Sequence, residues 1–322
     1  MYKNKKVLLI AGGGTLGTYT GKELLRLGAE VDVLCPEKKV SDHPRLRFIR
    51  GMSSEELLLD IFKENRYNGI VNFIHYTDTD EFKKAYNFLK NYTDHYVFLS
   101  SYRVYANEEH PVTEDAPRLH EAIKDPELLG KDTYGMIKAE CEDFLKTECK
   151  GENWTIVRPV ISFSSRRMDI VMNSGLWTVD CARENRVMLL PQSVRELHAG
   201  IDWAGNSGKL IANLLFKKDA IGEAFSIYSG HNMTWGEVAK AYENTIGLKV
   251  DWVSDEEYFD TIPTIRTYAG HAIMWKYDRS FDRDIDTSKV FRVTGLDRSD
   301  FASVEEGILN EMKILEAETE KD

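Results

Sequence analysis

Short continuous apolar runs alternate with longer stretches whose apolar residues recur every three to four positions. Residues 6–11 are almost entirely apolar, the pattern of a strand buried on both faces. Residues 18–27 carry Leu24, Leu25 and Leu27 at helical spacing, and Gly28 supplies a stop. Residues 30–35 read as the next strand, ended by Pro36. Residues 47–50 read as a short strand, and 54–65 as a helix whose first residues carry an N-cap pattern of Ser and Glu. Strands at 69–75, 96–100 and 154–158 then alternate with helices at 82–91 and 133–150. This rhythm predicts an α/β fold built on a doubly wound parallel Rossmann sheet.

The rhythm weakens after Pro159. Segment 162–191 mixes helix-like and turn-like character. Residues 203–216 read as a helix, and 224–228 as a strand that rejoins the sheet. Amphipathic helices are expected at 234–246 and 304–316, with an aromatic- and arginine-rich segment at 268–286 between them. The expected division is a dinucleotide-binding unit of 1–161 and 192–230. Beside it lies a smaller, discontinuous C-terminal substrate domain of 162–191 and 231–322.

Composition narrows the function. The 322 residues are 42% hydrophobic, enough for a sizeable core and against bulk disorder. Lysine and arginine number 42 against 53 acidic residues, a net charge of −11. That balance argues against a nucleic-acid partner, which calls for a basic surplus or patch. No secretory signal and no apolar stretch of the ~18 residues needed to span a bilayer is visible, so a cytoplasmic protein without a membrane partner is expected. Cys35, Cys141, Cys149 and Cys181 lack metal-ligand spacing, so reduced thiols and no metal are expected.

Gly12-Gly13-Gly14-Thr15-Leu16-Gly17 joins the first strand to the first helix. Glycines at 12, 14 and 17 meet three needs of dinucleotide binding: a tight turn, backbone approach to a pyrophosphate, and close helix–strand packing. The helix N-terminus adds N–H groups and the positive end of its dipole. A ribose-binding acid is expected at the end of the second strand, where Cys35 stands instead. Asp32 reads as a strand residue. Glu37 suits NAD, and Lys38 or Lys39 suits the 2′-phosphate of NADP, so the choice stays open with NAD slightly preferred.

Tyr134 and Lys138 begin a predicted helix with i, i+4 spacing, on one face. An ammonium beside a phenol favours the phenolate, which makes a general acid/base for a hydroxyl proton while hydride moves to or from nicotinamide. Ser100 or Ser101, at the end of a central strand, suits a hydrogen bond to the reacting oxygen.

Together these segments resemble the extended short-chain dehydrogenases/reductases, the NAD-dependent epimerase/dehydratase family. The matching stretches are 8–17, 97–105 (VFLSSYRVY), 111–117 (PVTEDAP), 134–138 and 157–159, with later echoes at 201–204, 222–225, 286–289 and 295–296. The resemblance implies Ser101 as the catalytic serine, Tyr134 as acid/base, and Lys138 as its partner and a contact of the nicotinamide ribose. It implies cofactor contacts from Gly12, Gly14, Thr15, Leu16 and Gly17, from Cys35, from Phe73, Ile74 and His75 at the fourth strand's end, and from Pro159. Members often dimerise, which implies a homodimer as one arrangement. Ser101, Tyr102, Arg103, Tyr134, Arg166 and Arg279 are the expected substrate contacts.

Several positions depart from the family pattern. Ala11 replaces its first glycine, Met52 its adenine-contacting Asp, and Ile161 the sugar-binding Asn of many epimerases. Sugar 4,6-dehydratases place an Asp-Glu pair after the active-site hydroxyl; here Tyr102 and Arg103 stand there, which disfavours dehydration. The expected activity is NAD(P)-dependent oxidation or epimerisation of a sugar hydroxyl, of a nucleotide-sugar, through a transient ketone. The alternatives are an NADPH-dependent ketone reductase and a non-catalytic dinucleotide sensor or RNA-associated protein of the same fold.

Overall fold

The computed structural model describes residues 2–125, 133–173 and 175–319. Seven strands form one parallel sheet: β1 (Lys6–Ile10), β2 (Glu30–Cys35), β3 (Leu46–Arg50), β4 (Tyr67–Asn72), β5 (Thr93–Leu99), β6 (Trp154–Pro159) and β10 (Glu223–Ile227). Their order is β10-β6-β5-β4-β1-β2-β3. The chain order reverses between β1 and β4, where Ile10 pairs with Asn72 on one side and Leu34 on the other. Ligands of doubly wound sheets bind at such a switch point, beyond the carboxyl ends of the strands.

Helices cover both faces, which is why the central strands β1 and β4 bury successive residues on either side. α1 (Thr15–Leu27) and α5 (Ala204–Leu214) bury Leu24, Leu210 and Leu214 on one face. α2 (Glu55–Glu64), α3 (Thr79–Leu89) and α4 (Thr133–Thr147) bury Phe62, Phe82 and Phe144 on the other. α1 begins three residues earlier than its spacing suggests. Gly14 is its N-cap in extended backbone, so Thr15, Leu16 and Gly17 form its first turn. The glycine loop and the helix N-terminus are therefore one structure. Ala11, at the position of the family's first glycine, has φ 55°, the left-handed region where an L side chain is strained.

A separate core gathers α6 (Trp235–Ile246) and α7 (Val304–Thr319) with Tyr102, Phe163, Met168 and Leu190. Two small parallel pairs lie in this half. β7 (Ile161–Phe163) pairs with β9 (Ile201–Trp203), and β8 (Val187–Pro191) with β11 (Lys249–Val253). Local periodicity does not reveal them, because three- to five-residue strands meet partners 40 and 62 positions away. β9 thus pairs outside the large sheet, although it lies in the stretch expected to belong to it. Among the described residues, no helix is long and apolar enough to cross a membrane.

One buried ion pair ties α4 to the sheet. Glu142 accepts from Arg158 Nε (2.9 Å) and Nη2 (2.6 Å), and both side chains are fully buried. Arg158 also donates to the Tyr105 hydroxyl (2.8 Å) and the Glu114 carbonyl (2.9 Å). Burial pushes the Glu142 carboxyl up, but Arg158 outweighs it and holds it below the usual range. Glu142→Gln leaves Arg158 buried without its counter-charge, so urea unfolding should show a loss of about 3–5 kcal/mol. A loss below ~1 kcal/mol would mean the pair is dispensable.

Candidate active site

A cleft of about 460 Å³ opens at the switch point. Its floor is Ala11, Gly14, Thr15, Leu16 and Gly17, with Phe73 beyond β4 and Ser100 to Arg103 beyond β5. Tyr134 enters from the first turn of α4, and Pro159 ends β6 with Val160 to Ser162 following it. Arg167, Met274, Asp278 and Arg279 come from the second half of the chain. Ser101, Tyr134 and the glycine loop, separated by up to 120 positions, thus line one space.

The two candidate serines differ in their partners. Ser100 Oγ donates to Glu142 (2.6 Å) and belongs to the buried ion pair. Ser101 Oγ accepts from the Arg103 amide (3.2 Å), caps the turn Tyr102–Val104 and stands at the cleft wall. Tyr134 lies between two side chains. Its ring meets His75 edge-on at 4.9 Å between centroids, and the Arg103 guanidinium lies over it at 5.2 Å. His75 is held below its ordinary value by burial and by Lys138.

Lys138 is buried one turn beyond Tyr134. Its described hydrogen bonds go to the carbonyls of Leu99 (2.5 Å) and Ile74 (3.5 Å), and its ammonium lies 4.8 Å from the Phe98 ring centre. The i, i+4 spacing leaves open which way the lysine turns; here it braces the ends of β4 and β5.

On the cofactor side, Gly14 faces open space and no side chain caps α1, so the N–H groups of the first turn remain available to a pyrophosphate. A Cβ on Gly12 would lie 2.6 Å from Leu9 Cβ, so this glycine serves close packing. A Cβ on Gly13 would lie 2.7 Å from Glu37 Oε2 and 2.8 Å from Cys35 Cβ. The carboxylate of Glu37, not Cys35, therefore brings acceptor oxygens to the end of β2. Lys39 donates to the Gly13 carbonyl (2.5 Å). Asp32 is occupied within the sheet, accepting from Arg47 (2.6 Å) and the Tyr67 hydroxyl (2.5 Å).

Other expected residues stand elsewhere. Cys35, Ile74 and His75 do not line the cleft itself. Arg166, expected at the substrate, lies outside it, beside Lys22 and Lys39 in a smaller pocket behind the glycine loop. Its neighbour Arg167 lines the cleft instead, because it pairs with Ser164 across a tight turn that carries Ser165 and Arg166 at its tip. Tyr102 and Arg279 line the wall, but the Tyr102 hydroxyl donates to Asp278 (2.5 Å), and Arg279 donates to Val171 O (2.8 Å) and Tyr102 (2.9 Å). Sequence reasoning missed Asp278, although it falls in the aromatic and arginine segment. It also missed Glu311. That buried carboxylate accepts from Tyr19, from Trp203 (2.6 Å) and from the Ser165 amide (2.5 Å), joining α7 to α1 beside the loop.

No family model matches the chain, and no curated protein does. Solved structures match nearly end to end. Epimerase Mth375 from Methanothermobacter thermautotrophicus is 16% identical with a TM-score of 0.70, over 99% of this chain and 94% of that one. UDP-glucose-4-epimerase from Stenotrophomonas maltophila, with bound NAD and formylated UDP-arabinopyranose, is 14% identical with a TM-score of 0.69, over 98% and 99%. MoeE5, in complex with UDP-glucuronic acid and NAD, is 15% identical with a TM-score of 0.66, over 96% and 98%. This chain has their fold.

Burial pushes Lys138 down to about 8. The unfolded chain, at the ordinary lysine value, binds more protons than the folded one from there up to about pH 10, so stability rises with pH across that window. Relative to Lys138→Met, the wild type should gain up to ~3 kcal/mol between pH 8 and about 10 in urea midpoints. A flat difference would show that Lys138 titrates normally.

Proposed function

We propose that this protein is an NAD-dependent oxidoreductase or epimerase that oxidises a sugar hydroxyl, of a nucleotide-sugar, to a transient ketone. One observation carries the reading: Ser101 and Tyr134 share a single cleft with an uncapped glycine-loop helix at the switch point. Bound NAD supplies the hydride acceptor there, and in reduced form the donor. Tyr134 takes the hydroxyl proton as the carbon–hydrogen bond breaks and returns it on re-reduction. Ser101 donates a hydrogen bond to the same oxygen and opposes the charge that develops on it. Re-reduction on the opposite face inverts the carbon; on the same face it restores it. The Lys138 ammonium braces the strand ends below and contributes positive charge near the phenol. Tyr102 and Arg103, where dehydratases of this type carry their acidic pair, supply no acid–base couple for loss of water.

NAD rather than NADP is the preferred cofactor. Glu37 presents a carboxylate at Gly13, which suits ribose hydroxyls and repels a 2′-phosphate, while Lys39 is engaged with the Gly13 carbonyl. Calorimetry should show NAD binding at least ~10-fold more tightly than NADP, with Glu37→Ala narrowing the gap. Equal affinities would remove Glu37 from this role.

Tyr134→Phe should lower turnover by at least ~10² while retaining NAD binding. The assay is NADH formation, or interconversion of epimers, across a panel of nucleotide-sugars. Near wild-type turnover in that variant would end the reading. Mass spectrometry of small molecules released on denaturation supplies a second check. Retained NAD fits a cofactor recycled in place, and NADPH fits a net ketone reductase.

A further inference from the structure

A tight turn from the second half of the chain lies against the glycine loop. Ser164 and Arg167 exchange both backbone hydrogen bonds, at 3.0 and 2.8 Å, so Ser165 and Arg166 form its tip. Three contacts pin it. The Ser164 hydroxyl is 3.1 Å from that of Thr15, the Ser165 amide donates to the buried Glu311 carboxylate at 2.5 Å, and Arg167 Nε donates to Asp169 at 2.6 Å. Ser164 and Ser165 are themselves buried, so the turn is set in place against α1.

The two arginines of this turn line different cavities. Arg167 lines the cleft. Arg166 lines a second cavity of about 220 Å³, together with Gly13, Lys22 and Lys39. Gly14 and Thr15 line both, so the cavities meet at the start of α1 with one guanidinium on either side. Lys39 is engaged with the Gly13 carbonyl, and Lys22 lies 4.8 Å from the Tyr19 ring centre. Among the described residues, no hydrogen bond engages the Arg166 side chain or the terminal nitrogens of Arg167. Glu37 is held below the usual carboxylate range: its own amide, then Cys35, Lys39 and Arg166, outweigh burial. Arg166 therefore acts at the same corner as the carboxylate assigned to the ribose.

The positive end of a helix dipole is an unfavourable place for cations. Two guanidiniums pinned beside the N-terminus of α1 are relieved by an anion that reaches both. A guanidinium only donates, keeps its charge, and binds phosphoryl oxygens two at a time. A diphosphate on the amides of the first turn of α1 lies where the cavities meet. One placed deeper in the cleft meets Arg167 alone.

We propose that Arg166 and Arg167 form a clasp on the diphosphate of the bound dinucleotide, one guanidinium from each side of the glycine loop, and that the pinned turn slows its release. The proposal rests on the dinucleotide-binding part of the reading above and adds two residues to it.

Calorimetry and stopped-flow NADH fluorescence on the full chain test it. Arg166→Met and Arg167→Met should each weaken NAD and ADP-ribose at least ~10-fold, with NADH leaving faster by a similar factor. Arg166→Lys keeps the charge without the planar fork and should lie between. Melting curves separate loss of binding from loss of fold, and Arg166→Lys carries the test should Arg166→Met unfold. A smaller change in NAD affinity in either Met variant overturns the clasp, as does a wild type that binds neither NAD nor ADP-ribose. A loss confined to NADP overturns it and assigns Arg166 to a 2′-phosphate. A loss of UDP binding to the NAD-saturated chain, with NAD affinity unmoved, overturns it and assigns the turn to the substrate. NADH formation across the nucleotide-sugar panel keeps the two readings apart. Weakened NAD in both variants, with no sugar oxidised by the wild type, sinks the oxidation and leaves the clasp standing. Wild-type turnover with NAD affinity unmoved in both variants does the reverse.

Discussion

The buried carboxylate of Glu142 fixes the helix on which the site depends. It lies one turn beyond Lys138 on α4 and holds Arg158 of β6 with two short hydrogen bonds. The same carboxylate takes the hydroxyl of Ser100, so three elements converge on one group: α4, β6 and the turn after β5. A charge so deeply buried is tolerated only when its partners are fully assembled, which makes the arrangement all-or-none. Its consequence is positional. The Ser100 hydroxyl is committed to Glu142, Ser101 stands beside it at the cleft wall, and Tyr134 is carried two turns along α4 to the cleft.

A second carboxylate plays the matching part on the cofactor side. Glu311 of α7 binds α1 through Tyr19, the end of β9 through Trp203, and the loop after β7 through the Ser165 amide. The next residue back, Ser164, reaches Thr15 on the first turn of α1. The C-terminal helix thereby sets how closely the second half of the chain approaches the glycine loop. The strained φ of Ala11 and the close packing at Gly12 belong to the same turn. Backbone and side chains there are arranged around an opening at Gly14 rather than around one another.

Most of the sheet was legible in the sequence because its strands are buried on both faces, and continuous apolar runs survive in the residue order. The start of α1 was misjudged by three residues, since glycine and threonine carry no apolar periodicity. The small pairs β7–β9 and β8–β11 were not legible, because nothing local in three to five residues records a distant partner. At the site, residue identity was legible and direction was not. Spacing puts Tyr134 and Lys138 on one face but leaves the rotamer free to send Nζ to Leu99 and Ile74. Paired arginines at 166 and 167 look equivalent, yet one faces the cleft and the other the back of the glycine loop. Arg279 reads as a substrate contact until Asp278 and Tyr102 are seen to occupy it.

The central claim is that one cleft holds the dinucleotide and the proton-transfer residues together. A crystal structure of the NAD complex tests it most directly. The account predicts a pyrophosphate on the amides of Thr15 and Leu16, a ribose at Glu37, and a nicotinamide ring in contact with the side chains of Tyr134 and Ser101. A nicotinamide directed away from Tyr134, or a pyrophosphate held elsewhere than on the first turn of α1, would contradict it.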